Sequence, residues 1–196
     1  NHTIAAVFAH DDVPPLPVTG LSAQQAMSGN DTDGTTKVLI GFTLPGDGST
    51  VHIYRAGFGN YPNYQNVPAP GSDPTSGLSL PLPGRWQDTG ITATGQMDEV
   101  VTRDFWYYVA VTNDGCGNQT LSAPTTGVLN YHLGDVADGV QPCQGDNLVR
   151  TPDVSALGDA YGAVLSGNDA RACMDVGPTV GDAVHGRPSA DHVLDF

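Results

Sequence analysis

An aspartate pattern that occurs twice in the last third of the chain sets the strongest limit on its fold. The first copy opens at Gly134-Asp135-Val136 and resumes at Gly145-Asp146-Asn147-Leu148, after a Cys-containing insertion at residues 137 to 144. The second copy opens at Cys173-Met174-Asp175-Val176 and resumes at Ala190-Asp191-His192-Val193. Aspartate favours turns because its carboxylate hydrogen-bonds nearby backbone groups. A single copy would indicate no more than a turn, but the repetition predicts two loops of one design.

The spacing within each copy is that of a calcium-binding loop. Asp146 and Asp153 are seven residues apart, the separation of positions 5 and 12 in a 12-residue loop. Position 12 of the second copy falls beyond Phe196, and Arg150, which cannot ligate a cation, occupies position 9 of the first. The predicted calcium ligands are Asp135, Asp146, the Leu148 carbonyl and Asp153 in the first loop, and Asp175, Asp191, the Val193 carbonyl and Asp195 in the second.

An apolar, helix-like segment, Val154 to Tyr161, follows the first loop, and Asp153 would both ligate the ion and cap this helix. Two calcium half-motifs, each a loop with a following helix, resemble a dockerin of a divergent kind, with insertions inside the loops. The resemblance covers about the last third of the chain. It implies calcium as the cofactor and a cohesin-like protein as the partner.

The three cysteines leave two arrangements open. Cys143 and Cys173 sit at equivalent points of the two loops, which favours a disulfide between them and leaves Cys116 free. Closing a loop of 30 residues in this way would stabilise the fold by roughly 3–4 kcal/mol. The alternative is three unpaired thiols.

The chain before the tail has the pattern of an all-β domain. Gly and Pro together make up 25 + 15 = 40 of the 196 residues, which favours short strands and many turns. Strand-like segments separated by turns, about seven in all, predict a β-sandwich. The predicted strands include residues 36–44, 50–55, 86–94, 104–112 and 121–129, with an irregular stretch from Gly57 to Pro83.

The segment Tyr107-x-Val109-x-Val111-x-Asn113, followed by Gly115 and Ser122-Ala123-Pro124, resembles the F strand, turn and G strand of a fibronectin type III domain. Pro15-x-Pro17-Val18-x-Gly20-Leu21 resembles its A strand. The resemblance implies that Tyr107 is the tyrosine-corner residue. Phe42, in place of the usual tryptophan, and the long irregular stretch depart from the family.

The resemblances divide the chain into three parts. Residues 1–17 form an extended, Pro-rich segment, 18–132 a fibronectin type III-like β-sandwich, and 133–196 a small, loop-rich, partly helical dockerin-like calcium module whose second repeat is incomplete. The combination resembles the C-terminal region of large secreted bacterial proteins, so an extracellular or cell-surface location is expected. Without an initiating Met or signal peptide, the sequence is interpreted as a mature or excised fragment.

The net charge of the chain limits the classes of molecule that it can bind. The formal net charge of −14 argues against nucleic acid and anionic membranes. No apolar run approaches membrane-spanning length. The tail from Leu133 onward contains ten Asp and only three Arg, so bound divalent cations would relieve the repulsion between its carboxylates.

No catalytic motif is recognisable, so a non-enzymatic chain is expected. The aromatic residues Tyr61 and Tyr64 suit either stacking on sugars or, the favoured interpretation, folding of the long irregular stretch onto the sandwich.

The function expected from these features is an extracellular structural or adhesive module that mediates calcium-dependent protein–protein assembly. The apolar segment Thr3 to Ala9, ahead of Pro14 and Pro15, could add as a strand to a second copy and build filaments. The alternative is an accessory C-terminal region of a secreted hydrolase that anchors it to a cohesin-like partner or a polysaccharide.

Overall fold

The computed structural model describes residues 11–26, 34–64, 71–166, 169–182, 185–189 and 191–195. These residues form a mainly β fold of antiparallel sheets, consistent with the predicted β-sandwich. The strands are β1 (Thr19–Ala26), β2 (Lys37–Thr43), β3 (Thr50–Gly57), β4 (Gln87–Asp88), β5 (Gln96–Glu99), β6 (Phe105–Asn113), β7 (Gln119–Leu121) and β8 (Val128–Leu129), followed by one helix, α1 (Thr151–Ala160), and two short 3₁₀ turns at Ala172–Met174 and Val180–Asp182.

The strands form two sheets. One has the order β1-β2-β5, and the other has the order β4-β3-β6-β7 with β8 paired to the β7 side of β6. The longest pairing joins β3 and β6, from Thr50 opposite Asn113 to Gly57 opposite Trp106. The predicted strands at 86–94 and 121–129 are much shorter than expected, and β5 was not predicted. Its residues, Gln-Met-Asp-Glu, lack the β-branched and aromatic side chains that signal a strand.

The sandwich core lies between the two sheets. On β2 the alternation of Val38, Ile40 and Phe42 directs these side chains inward, as the period of a strand requires. Burying one such side chain contributes about 1.5–3 kcal/mol. The core residues are Val18, Val38, Ile40, Phe42, Val51, Ile53, Ile91, Tyr108, Ala110 and Val128.

A second core covers the outer face of the β3–β6 sheet, so β6 is buried on both sides. Tyr107 belongs to this outer core, whereas Tyr108 points between the sheets and donates its hydroxyl proton to Asp98 Oδ2 (2.9 Å). The prediction that Tyr107 is the tyrosine corner is therefore wrong. The alternation of side chains along β6 distinguishes its two faces. Because both faces are buried, the alternation does not show which face lies between the two sheets.

The irregular stretch forms the cover of this outer core. Phe58 and Tyr64 are buried in it, and Tyr61 packs edge-on against Tyr131, with ring centroids 5.2 Å apart. Folding onto the sandwich is thus confirmed for the described residues 58–64 and 71–86. Tyr64 is 1 % exposed and offers no face for stacking on a sugar.

The tail packs around a third, smaller core formed by Val136, Ala160, Leu165, Cys173, Met174 and Leu194. Helix α1 begins at Thr151 and ends at Ala160, close to the predicted segment. No second α-helix occurs within the described residues, so the pair of loop–helix units of the dockerin-like prediction is not shown. No helix in the described part of the chain is long and apolar enough to cross a membrane.

The start of the described chain contacts the sandwich. The N–H of Leu16 donates to Asp47 Oδ2 (2.9 Å), and the Asn118 side chain donates to the carbonyl of Asp11 (2.8 Å). The prolines therefore do not hold residues 11–17 away from the domain. Residues 1–10, which carry the strand-addition hypothesis, lie outside the described residues.

A buried asparagine orders the turn that leads into β6. Asn130 is 0 % exposed; its Oδ1 accepts from the N–H of Asp104 (2.9 Å), and its Nδ2 donates to the carbonyls of Val100 (2.8 Å) and Thr102 (2.9 Å). This places Arg103 and Asp104 in fixed positions beside the tail.

We expect Asn130→Ala to lower the free energy of unfolding by about 3 kcal/mol, because three backbone groups lose their partner and two or more stay buried. Urea denaturation followed by circular dichroism measures the change. Asn113→Ala, which removes an exposed contact to Gln119, is the control and should cost less than about 1 kcal/mol. Equal losses in the two variants would contradict the role assigned to Asn130.

Candidate functional site

The first aspartate loop wraps its backbone around the carboxylate of Asp135. The N–H of Asp146 donates to Asp135 Oδ1 (3.0 Å), and the N–H of Asn147 donates to Oδ2 (2.8 Å). Asp146 accepts in turn from the N–H of Leu148 (3.1 Å). Asn147 has a φ of 69°, a left-handed conformation that Asn tolerates. Asp135 is 1 % exposed, so this loop closes over a buried charge.

The second loop repeats this arrangement. The N–H of His192 donates to Asp175 Oδ2 (3.1 Å), and the N–H of Val193 donates to Asp191 Oδ1 (2.9 Å). His192 has the same φ, 69°, as Asn147. The duplication inferred from sequence therefore extends to matching backbone hydrogen bonds.

Asp153 joins the first loop to helix α1. Its Oδ1 accepts from the N–H groups of Val136 (2.8 Å) and Ala137 (2.9 Å), and its Oδ2 accepts from the N–H of Arg150 (2.9 Å). The side chain is fully buried. Helix α1 begins two residues before Asp153, so the N-cap is Arg150 and the prediction that Asp153 is the cap is wrong. Asp153 lies instead in the first turn, where its carboxylate accepts from the N–H of the N-cap residue.

The negative charge of Asp135 is matched by Arg103, which comes from the turn before β6. The guanidinium Nη2 forms an ion pair with Asp135 Oδ2, and Nη1 donates to the backbone carbonyl of the same residue (2.6 Å). Nε donates to the carbonyl of Gly34 (2.8 Å). Arg103 is 8 % exposed, so a buried ion pair joins the sandwich to the tail.

The surroundings of Arg103 are shaped to admit it. Two glycines, Gly34 and Gly145, lie so close to the guanidinium that a Cβ at either position would collide with it. The Tyr131 ring lies 5.2 Å from the guanidinium carbon, in the range of a cation–π contact. Burial raises the pKa of Asp135, and Arg103 acts in the opposite direction by favouring the carboxylate.

A second arginine forms an ion pair with a carboxylate of the same loop. Arg150 pairs with Asp146 Oδ2 four residues away, and its side chain is half exposed. The three carboxylates predicted to hold calcium in the first loop are therefore accompanied by two guanidinium groups.

The second loop has no such cations. Asp175, Asp191 and Asp195 form no ion pair within the described residues. Asp175 is 5 % exposed, yet its Oδ1 has no hydrogen-bond partner. Burial raises the pKa of Asp175 to about 6, and the charges of Asp191 and Asp195 add to this effect. The loop therefore holds an unsatisfied, electrostatically disfavoured carboxylate.

Neither set of predicted ligands forms an assembled metal site. In the described ranges, no group of three or more His, Cys, Asp or Glu side chains has the arrangement needed to hold a metal ion. The Val193 carbonyl, a predicted ligand, accepts from the N–H of Asp195 (3.1 Å). Leu148, the corresponding residue of the first loop, is 56 % exposed. Calcium binding stays a prediction.

The disulfide between Cys143 and Cys173 is confirmed, with the Cα atoms 5.5 Å apart, and Cys116 is free and exposed. The equivalence used to predict it is wrong. Cys143 follows Asp135 inside the insertion of the first loop, whereas Cys173 precedes Asp175. The bond therefore ties the insertion to the start of the second loop.

Arg103 is the site residue that sequence reasoning missed. It is one of six arginines, it precedes a strand, and its partner lies 32 residues away, so no local pattern marks it. Comparison with protein-family models, curated proteins and solved structures finds no match to this chain.

We expect Arg103→Met to lower the free energy of unfolding by about 3–5 kcal/mol, because it leaves the buried Asp135 carboxylate without its cation. Arg150→Met, which removes the exposed pair of the same loop, should cost less than about 1 kcal/mol. Urea denaturation of both variants tests the difference. In a double-mutant cycle, adding Asp135→Asn to Arg103→Met should recover part of the loss. Additive losses would show that the ion pair does not couple the two modules.

Proposed function

We propose that this chain is a non-catalytic, extracellular module that mediates calcium-dependent protein–protein assembly. In this proposal a fibronectin type III-like sandwich carries a divergent dockerin-like tail. The strand orders β1-β2-β5 and β4-β3-β6-β7 support the first part, and the matched hydrogen bonds of the two aspartate loops support the second. The disulfide is compatible with an extracellular location.

The observation that carries the proposal is the unpartnered Oδ1 of Asp175 beside two further carboxylates. A buried carboxylate oxygen without a donor is costly, and repulsion from Asp191 and Asp195 adds to the cost. A calcium ion favours carboxylate oxygens and would offset both terms. Binding would require the three side chains to draw together around the ion. The carboxylates of Asp175, Asp191 and Asp195 therefore suit a calcium ion.

The first loop fits calcium less well. Asp135 accepts two backbone hydrogen bonds and pairs with Arg103, while Asp146 pairs with Arg150. A cation entering this loop would have to displace or approach a guanidinium group. We therefore assign the calcium ion of this proposal to the second loop. In the first loop, Arg103 neutralises the charge of Asp135 instead.

The surface of the tail suits a protein partner. Leu148, Val149 and Val154 lie in or just after the first loop and are each more than half exposed. Apolar side chains gathered near charged loops are typical of protein contacts. The net charge of −14 opposes nucleic acid. The partner of this proposal is a cohesin-like protein or a second copy of the chain.

We expect calcium at about 10 mM to raise the melting temperature by a few degrees relative to chelator. Extracellular loops bind at about 10⁻⁴–10⁻³ M, which corresponds to a stabilisation of about 1.4–2.7 kcal/mol. Differential scanning calorimetry measures the shift. Identical melting curves in calcium and chelator would refute the proposal.

Two variants locate the ion. Asp175→Asn should abolish the calcium response, and it should raise the melting temperature in chelator because it removes a disfavoured charge at neutral pH. Asp146→Asn, which removes a carboxylate of the first loop, should keep the response. A response lost only in Asp146→Asn would place the ion in the first loop instead.

Assembly through strand addition has one structural support. Strand β1 lies at the edge of its sheet, and its outer edge pairs with no other strand among the described residues. An extended segment from a second copy can pair with such an edge. The apolar Thr3 to Ala9 segment is the proposed donor.

We expect the intact chain to form large species in calcium and a chain lacking Asn1 to Asp12 to stay monomeric, as measured by sedimentation velocity and electron microscopy. Head-to-tail strand addition does not close, so filaments rather than dimers are expected. An intact chain that is monomeric at high concentration in calcium, or a deletion that assembles normally, would rule out this mode.

A further inference from the structure

A groove of about 470 Å³ lies between the outer face of the β3–β6 sheet and the tail. Its tail side is formed by Val180, His185, Gly186 and Arg187, which lie between Asp175 and Asp191 of the second aspartate loop. Its volume falls in the range of small-ligand sites, roughly 300–1,000 Å³. The groove contains apolar ring edges and several polar side chains. They include Phe58, Asp73, Phe105, Tyr107, Thr126 and Arg187.

The hydroxyl of Tyr107 is an unused donor in this groove. Tyr107 is 6 % exposed, and its ring is held edge-on against Phe105, with centroids 5.3 Å apart. Its hydroxyl makes no hydrogen bond to the described part of the chain. Burial raises its pKa to about 12, so it carries its proton at neutral pH. A ligand in the groove would supply this hydroxyl with a hydrogen-bond partner.

Arg187 brings a second donor from the tail. Its guanidinium carbon lies 3.9 Å from the centre of the Phe58 ring, and it forms no ion pair with the residues the structure describes. Stacking on the ring holds the planar group in place and leaves most of its N–H groups free. Among the described residues, the one hydrogen bond that the guanidinium makes, to the carbonyl of Pro188, is long at 3.4 Å.

Asp73 faces these donors as an acceptor. Its Oδ1 accepts from the N–H (2.7 Å) and the hydroxyl (2.6 Å) of Thr75, which fixes the carboxylate. Its Oδ2 makes no hydrogen bond in the described ranges. The groove therefore presents the carboxylate of Asp73, the guanidinium of Arg187 and the imidazole of His185, together with the hydroxyls of Tyr107 and Thr126.

We propose that this groove binds a neutral saccharide, through the Tyr107 hydroxyl, the Arg187 guanidinium and the Asp73 carboxylate. An apolar ligand would cover these three polar groups without giving them hydrogen bonds, which is unfavourable. A negatively charged ligand would be repelled by Asp73, and a positively charged ligand would be repelled by Arg187. A polyhydroxylated ring is neutral, donates and accepts at neighbouring positions, and turns C–H groups toward the edges of Phe58 and Phe105. This site is independent of the calcium proposal because it uses no loop carboxylate.

Isothermal titration calorimetry and saturation-transfer NMR in chelator test the proposal with five probes, namely the oligosaccharides of xylose, mannose, glucose and N-acetylglucosamine and an oligogalacturonate. We expect at least one neutral probe to bind. Tyr107→Phe keeps the packing and removes only the hydroxyl, so it should weaken binding about tenfold. Asp73→Asn should also weaken it. Tyr161→Phe changes an exposed tyrosine outside the groove and should bind as the parent does.

Three results would contradict the saccharide proposal or its assignment to neutral sugars. Binding of none of the neutral probes would overturn the proposal, as would unchanged affinity in both Tyr107→Phe and Asp73→Asn with melting temperatures equal to the parent. Binding of oligogalacturonate alone would overturn the assignment to neutral sugars. The calcium proposal is unaffected by these results, because the titrations are performed without calcium.

Discussion

The guanidinium of Arg103 is the charge on which the junction of sandwich and tail depends. It is buried, and it is satisfied by one carbonyl from Gly34 and by the backbone and side chain of Asp135. Removing a single charge from water is unfavourable by several kcal/mol unless a partner of opposite sign is held close. Since the cation belongs to the sandwich and the anion to the tail, neither module can bury its charge alone. The two modules therefore stabilise each other.

The junction is possible because β6 is buried on both faces. The sandwich core covers one face, and the irregular stretch after Phe58 covers the other with aromatic side chains. Asn130, directly after β8, holds the turn before β6 and so positions Arg103. The same outer face, left partly open beside Tyr107, forms one wall of the proposed saccharide groove. The long stretch that departs from the fibronectin type III pattern is thus a structural part of the molecule.

The two aspartate loops share a backbone design but differ in charge. Around Asp135 the chain supplies its own cations, whereas around Asp175 it leaves a buried oxygen without a partner. Two backbone hydrogen bonds of the first loop have counterparts in the second, but the bond to Asp135 Oδ1 has none at Asp175. The first loop therefore holds a structural ion pair, whereas the second leaves a carboxylate oxygen unpaired. This difference gives the tail one fixed attachment to the sandwich, and it is the basis of the calcium site proposed for the second loop.

Sequence alone determined the features that depend on neighbours along the chain. The alternation of Val38, Ile40 and Phe42 predicted an inward-facing strand, and the repeated aspartates predicted two equivalent loops. The pairing of Cys143 with Cys173 was also predicted, although from a mistaken equivalence. Such patterns are readable because strand period and turn hydrogen bonds act over a few residues.

Only the tertiary structure decided which face of β6 is central, and hence that Tyr108 rather than Tyr107 lies between the sheets. It alone brought Arg103 to Asp135 and left Asp175 without a cation. Alternation shows that two faces differ, but it cannot rank them when both are covered. An ion pair between distant residues leaves no local pattern, because its energy depends on burial that only the complete fold creates.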